Sequence, residues 1–433
     1  LQSSNNKLFM GSKIFKKRMG PIEKQGVVQA YTMLVPTVAI VMAIVLFPLL
    51  ANFWISFKDV TVSDLRTAEI KVSEKFQKKP KEKGDISKIE YRFNNFSKSA
   101  NIKEVSFKDK IPIGLIIKDL PSNCNLSENI IGCELGNFQP KEKKKLKFET
   151  IAEDKYFLNN ENPKDSSPIV EGKSENRLLN LDLKIKNFEE IFTSPNFWKT
   201  IRISFAYSLF SAIGSLTLGI LAAQLLMTTF IGRGIIRGVF LFPYIAPIIA
   251  VTITWKILTD PFFGTINGIL TELEILNEPI SFLQVREMTF SFVGLDFTLP
   301  VALSFVILFE SWRYFPLAMI FILARLQSVP KELFEAAEID GATPFQKFRS
   351  ITWPLILGVL FVLFLLRFIW TFNKFDDIFL LTGGAAGTKT LTVDVYETGF
   401  NIGNLGTGAA NAVLVFLILV FAAIFIIRFS PKE

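Results

Sequence analysis

The sequence predicts an all-α polytopic membrane protein with six transmembrane helices and an inserted, β-sandwich-like domain on the extracytoplasmic side. Three observations point there. Half of the 433 residues are hydrophobic, with 44 Phe, which is more apolar than a soluble chain of this length usually is. The apolar residues gather into charge-free runs: Gln25 to Phe57, Ile203 to Gly232, Gly238 to Trp255 and Thr398 to Ile427. Between the first two runs lies a stretch of different composition, Lys58 to Trp198, rich in Lys, Glu, Asn and Ser.

Taken along the chain, residues 1–29 form a basic N-terminal segment through Lys13, Lys16, Lys17 and Arg18, and residues 30–57 form the first span. A cleaved signal peptide has a similar basic start but a much shorter apolar core and a small-residue cleavage site, so this helix is read as retained. Residues 58–198 form the insertion, and residues 199–429 a five-helix core. A crossing takes about 20 mostly apolar residues. Besides the charge-free runs, Leu299 to Ala324 and Ile351 to Asn373 qualify despite internal charges.

Orientation follows from Lys and Arg in short flanking segments. Besides the N-terminus, these are Arg233 and Arg237, then Arg325, Lys331, Lys347 and Arg349, then Arg428 and Lys432. With six spans all of them fall on one side, which makes both termini cytoplasmic. The net charge of +8 is then accounted for by basic loops beside a membrane and calls for no nucleic acid.

The insertion alternates in the strand manner at Ile111 to Lys118 and at Lys145 to Ala152, so short strands separated by turns are expected. Its segment LPSNCNLSENIIGCELGNFQPKEKKKLKFETIAED resembles the bacterial immunoglobulin-like repeats of surface proteins. Cys124 and Cys133, the two cysteines of the chain, both lie in it. On an oxidising outer face close thiols pair, which favours a disulfide over two reduced, buried thiols. Two Cys and no His argue against zinc.

A charged stretch, Lys331 to Leu355 (KELFEAAEIDGATPFQKFRSITWPL), interrupts the apolar core, and most of it falls in the cytoplasmic loop expected over residues 325–350. Lys331 to Ile339 suits a short helix, and Gly341 suits its end, where left-handed backbone is needed. Small Ala336 and Ala337 allow a partner to approach, and Glu335 and Asp340 offer charge to its rim. A membrane-surface helix is the alternative, but such helices are Lys- and Arg-rich, whereas this one carries Glu332, Glu335, Glu338 and Asp340.

Glu335-Ala336-Ala337, Asp340-Gly341-Ala342 and Trp353-Pro354-Leu355 resemble the EAA loop of binding-protein-dependent ABC importers, with Trp353 where that family usually has Leu. FWKTIRISFAYSLFSAIGSLTLGILAAQLL, GRGIIRGVFLFPYIAPIIAVTITWKIL and FNKFDDIFLLTGG resemble core helices of its carbohydrate-uptake branch, the maltose and glycerol-phosphate type. The resemblance covers Phe197 to the C-terminus and the first span. It implies an ABC type I importer permease fold in a bacterial inner membrane. It also implies a coupling helix that docks on an ATPase subunit, a second permease subunit (a heterodimer), two ATPase subunits using ATP and Mg, an extracytoplasmic binding protein and a carbohydrate substrate. The chain itself is expected to bind no cofactor and to be no enzyme. Gly383 to Thr390 looks like a phosphate loop but has the wrong spacing, and no His or nucleophile–base pair offers a hydrolytic site.

Ionisable residues inside spans usually face a cavity or one another, which singles out Glu310, Arg313 and Arg367, with Asp376 and Asp377 just beyond the fifth span. The maltose-type resemblance assigns sugar contact to Phe372 and Asn373 and matches Tyr314 and Leu317 to further contact positions, although Leu317 cannot hydrogen-bond. Trp312, Tyr314, Arg367, Trp370, Phe372 and Asn373 together supply the aromatic faces and polar groups a sugar needs. The charged residues could equally be ion pairs that lock helices together. Two rival functions are an ion-gradient-driven secondary transporter, with the buried charges as its relay, and a membrane-anchored sensor or adhesin. The first leaves the Glu335-to-Leu355 pattern idle, and the second needs one span rather than six.

Overall fold

The computed structural model describes residues 21–65, 68–97, 100–159, 161–162, 166–174, 177–292 and 295–428. The basic cluster Lys13 to Arg18 and the C-terminal Lys432 lie outside the described residues. The chain divides into two units, residues 1–54 and 55–433. The first unit is helical. α1 (Pro21–Val41) runs through a π-helical turn at Met42–Leu46 into α2 (Phe47–Ser56), and the stretch Gln29–Ser56 is long and apolar enough to cross a membrane.

The second unit begins with the insertion, which is a β-sandwich. Its strands are β1 (Ile70–Gln77), β2 (Ile86–Asn95), β3 (Ile102–Lys110), β4 (Leu115–Ile117), β5 (Cys124–Ser127), β6 (Ile130–Phe138), β7 (Lys143–Ala152) and β8 (Ile169–Ser174). They form two antiparallel four-stranded sheets, in the orders β1-β2-β7-β4 and β5-β6-β3-β8. Period-two alternation turns Ile89, Tyr91, Phe93, Phe107, Ile131, Phe138 and Phe148 inward, into one shared core. The Tyr91 hydroxyl donates to Asp109 Oδ2 at 2.6 Å, and burial, followed by that carboxylate, raises its ionisation well above the ordinary tyrosine value. Cys124 and Cys133 face each other across β5 and β6 and are joined in a disulfide. One expected strand is shorter than read. Of Ile111 to Lys118 only Leu115–Ile117 pairs, because Pro112 lacks an N–H and Gly114 turns with φ of 90°.

α3 (Asp154–Asn159) precedes β8, after which the chain leaves the sandwich through α4 (Lys186–Thr193) and enters the long helix α5 (Phe197–Met227). α6 (Arg233–Ile245) and α7 (Ile248–Leu258) follow, then α8 (Thr265–Glu272) and the hairpin β9 (Met288–Phe292) and β10 (Leu295–Leu299). The remaining helices are α9 (Val301–Gln327), α10 (Lys331–Ile339), α11 (Pro344–Lys347), α12 (Trp353–Phe372), α13 (Asp376–Thr382), α14 (Leu391–Tyr396) and α15 (Leu405–Arg428). Gly383–Thr390, the phosphate-loop lookalike, is the turn between α13 and α14.

Among the described residues five helices are long and apolar enough to cross a membrane, and a sixth crossing exists there only if α6 and α7 count as one span. The expected single run Gly238 to Trp255 is bent there by 97°. Pro247 cannot donate to a helical bond and forces Ala246 into extended backbone (φ −63°, ψ 141°), so six unbroken spans are not what the chain builds.

α5 and α9 form the centre of the helical part. Along α5 a stripe of small residues, Ser204, Ser208, Ser211, Ser215, Gly219 and Ala222, is buried. At Gly219 an added Cβ would sit 2.6 Å from the Ala318 Cβ, so only hydrogen fits. Small stripes of this kind let apolar helices pack backbone to backbone where no hydrophobic gain drives them together.

The stem of the sandwich is tied to the start of α15. Lys184 N donates to Phe57 O at 2.8 Å, Asn187 Nδ2 to Ser56 O and Lys58 O at 2.8 and 2.9 Å, and Gly406 N to Val60 O at 2.9 Å. The Lys58 ammonium, 1% exposed, donates to the Asn180 and Asp182 carbonyls.

Candidate functional site

Two places gather the residues singled out from the sequence. The first is the loop after α9. α10 is a nine-residue helix with no buried residue, and Leu333 and Ile339 are solvent-facing. It ends in a Schellman motif: Ala342 N donates to Ala337 O at 2.9 Å and Gly341 N to Glu338 O at 3.0 Å, with Gly341 at φ 72°. α11 starts at once with a reciprocal capping box between Thr343 and Gln346. Lys347 Nζ clamps the two short helices through Glu338 Oε1 at 2.6 Å. Glu335, Ala336 and Asp340 lie on the outside of this knuckle, and Ala337 and Ala342 are half-buried. Satisfied caps on both sides of a two-residue turn make it a rigid, exposed projection between two long apolar helices.

The second place is a buried charge cluster between α9, α12 and α13. Arg367 Nη2 donates to Glu310 Oε1 at 2.8 Å, with the two side chains 1% and 0% exposed. Thr371, four residues beyond Arg367 on the same helical face, adds a bond to the same oxygen at 3.3 Å. The Arg367 guanidinium lies 4.2 Å from the centre of the Tyr314 ring, and Lys374 Nζ lies 4.4 Å from it and also meets the Tyr314 hydroxyl. Lys374 in turn faces Asp377 Oδ2 at 3.4 Å and Asp376 Oδ1 at 4.0 Å. Arg313 is 5.7 Å from the same ring and donates through Nη2 to the Ala246 carbonyl at 3.2 Å, at the break between α6 and α7. Tyr207, from α5, is fully buried, and its hydroxyl has no hydrogen-bond partner among the described residues.

The structure thus brings together Glu310, Arg313, Tyr314, Arg367, Asp376 and Asp377. It does not bring the other expected sugar contacts to them. Trp312 packs on Trp255 and Phe309. Trp370 points outward. Phe372 is buried against Phe205 and Phe368. Asn373 is exposed, with its amide weakly bonded to Ile369 O of its own helix. Lys374 and Tyr207 belong to the cluster as well, and little in their sequence context singles them out. Lys374 lies past the apolar run and passes for a flanking charge, and Tyr207 passes for core. Among the described residues, no group of three or more His, Cys, Asp or Glu is arranged to hold a metal.

Comparison with known proteins follows the same division of the chain. Residues 193–432 match the family described as "Binding-protein-dependent transport system inner membrane component". The chain is similar to the Escherichia coli (strain K12) "Inner membrane ABC transporter permease protein YcjO", 35% identical over 244 residues, which is 56% of this chain and 78% of the relative. It is 31% identical over 245 residues to the "Trehalose/maltose transport system permease protein MalF" of Thermococcus litoralis, covering 56% of this chain and 78% of that one. It is 29% identical over 253 residues to the Agrobacterium fabrum "sn-glycerol-3-phosphate transport system permease protein UgpA", covering 58% and 80%. Among solved structures, a "bacterial alginate ABC transporter in complex with alginate pentasaccharide-bound periplasmic protein" shares the fold, with a TM-score of 0.50 at 20% identity, over 57% of this chain and 83% of that one.

Proposed function

The chain belongs to the binding-protein-dependent transport system inner membrane component family, and on that premise we propose that it is the permease subunit of an ABC importer that carries a carbohydrate handed over by an extracytoplasmic binding protein. The observation that carries this is the exposed knuckle of α10 and Gly341, with satisfied caps on both sides of its turn and set between two apolar helices. Relatives named for maltose, trehalose and glycerol phosphate support a sugar or polyol cargo.

In this reading α6 and α7 together make the sixth crossing, both termini face the cytoplasm, and the sandwich stands outside. The knuckle sits in a cleft of an ATPase subunit, with Glu335 and Asp340 on basic residues of its rim. A second permease subunit, a pair of ATPase subunits using ATP and Mg, and the binding protein complete the complex, and this chain performs no catalysis. The binding protein docks on the outer loops with the sandwich beside it. Nucleotide-driven closure moves the knuckle, and the helices turn the site around Tyr314 from one side of the membrane to the other. Such a switch needs contacts that differ between its two states. Glu310, Arg367, Lys374 and Asp377 tie α9 to α12 and α13, so that these elements move as one body.

Uptake in proteoliposomes tests it. Glu335→Lys or Gly341→Pro is expected to abolish ATP-driven uptake while the protein remains in the membrane. Uptake that persists without an ATPase and follows a proton or sodium gradient would instead establish a secondary transporter.

A further inference from the structure

The cluster's three carboxylates and three cations are not paired one to one. Glu310 answers Arg367, and Asp376 and Asp377 answer Lys374. Arg313 is 7% exposed and forms no ion pair among the described residues. Its single hydrogen bond there runs from Nη2 to the Ala246 carbonyl, and its Nε and Nη1 atoms have no partner among the described residues. A charge at this depth is costly unless an opposite charge meets it. The Ala246 carbonyl belongs to the C-terminal end of α6, and a helix end offers only about half an elementary charge. Most of the Arg313 charge is therefore unanswered, and two of its donor nitrogens are still to be used.

The surroundings fit a ligand better than a lock. Arg313 sits where α6 and α7 part, and irregular backbone at membrane depth is tolerated where protein buries it or where it lines a passage. One aromatic ring stands beside it and a second packs on the first. Tyr314 is 5.7 Å from the guanidinium, and Tyr244, two residues before Ala246, meets Tyr314 edge-on at 5.9 Å. An anion acceptor next to aromatic faces is the chemistry of an acidic saccharide or a phosphorylated polyol rather than a neutral sugar.

We propose that Arg313 binds a negatively charged group, a carboxylate or a phosphate, on the transported substrate. This rests on the importer function above and narrows its cargo to an anionic carbohydrate. The charge of Arg313 is then met only while cargo is bound, which favours anionic cargo over neutral sugars of the same size.

The test is ATP-driven uptake by the full complex in proteoliposomes, with maltotriose, trigalacturonate and sn-glycerol 3-phosphate as probes. At least one anionic probe is expected to enter tenfold or more faster than maltotriose, and the one that does separates carboxylate from phosphate. Arg313→Gln is expected to cut that anion preference at least tenfold, and Arg313→Lys, which keeps the charge, to retain a good part of it. ATP-driven uptake that favours maltotriose over both anions overturns the proposal. So does an Arg313→Gln variant that slows neutral and anionic probes by the same factor, since that marks a residue that only holds the α6–α7 break. Entry of the probes without any need for ATP would strike the importer function itself.

Discussion

Arg367 is 1% exposed, and one carboxylate, Glu310, answers it at 2.8 Å. Removing either partner strands a charge inside the helices, whereas replacing both with apolar groups of similar size removes the problem. Glu310→Ala is therefore expected to destabilise the folded protein by about 3–5 kcal/mol, and Glu310→Leu with Arg367→Met to recover most of that loss. Thermal unfolding in detergent micelles reads both. The sequence offered Glu310 and Arg367 as candidates because charge within an apolar run is conspicuous. It could not pair them, since 57 positions separate them and only the packing of α9 on α12 closes the distance. On α12 it is Thr371 that shares the Glu310 oxygen with Arg367, while Trp370 is turned away.

Helices here owe their packing to what is missing at a few positions. Gly219→Leu would drive carbon into Ala318 across the α5–α9 contact and is expected to cost about 1–3 kcal/mol as overpacking. Gly358, in α12, has nothing within 4 Å of where a Cβ would stand. Gly358→Ala is therefore expected to stabilise by about 0.5–1 kcal/mol through helix propensity alone. Comparing the two variants in one melting assay separates contact from propensity. The apolar runs were legible in the sequence because membrane-spanning composition is a strong signal. The bend in the third was not, since prolines occur inside other helices here, at Pro36 and Pro316, without ending them. What decides at Pro247 is its place directly after Ala246, whose carbonyl Arg313 holds. The strand at Leu115–Ile117 was overread for the opposite reason, because alternation continued through a Pro and a Gly that pairing could not.

For the molecule as a whole, the sandwich and the helical core draw on separate sources of stability. The sandwich has its own aromatic core and a disulfide closing the short segment between Cys124 and Cys133. Chain entropy assigns such a link about 2–3 kcal/mol. Reduction is expected to lower hydrogen-exchange protection in β5 and β6 and to leave the amides of α5 and α9 unchanged, which mass spectrometry of the intact protein measures. Composition set this domain apart from the spans before any strand was assigned, because a sheet facing water carries Lys and Glu where a span cannot. Its strand order was not legible, since neighbours such as β2 and β7 pair residues far apart in the chain, Ser87 with Thr150 at a separation of 63 positions.

The stem also makes the sandwich a detachable cassette. Phe57 and Lys184 share a backbone hydrogen bond of 2.8 Å, so the polypeptide leaves the first helix and comes back at one doorway. Substituting Asn-Gly for residues 58–183 would close that doorway with a hairpin turn, keep the Asn187 bond to Ser56 and leave the start of α4 where it is. A chain wired this way can gain, lose or exchange an entire outer module by splicing at one point, with no rerouting of the transport machinery behind it.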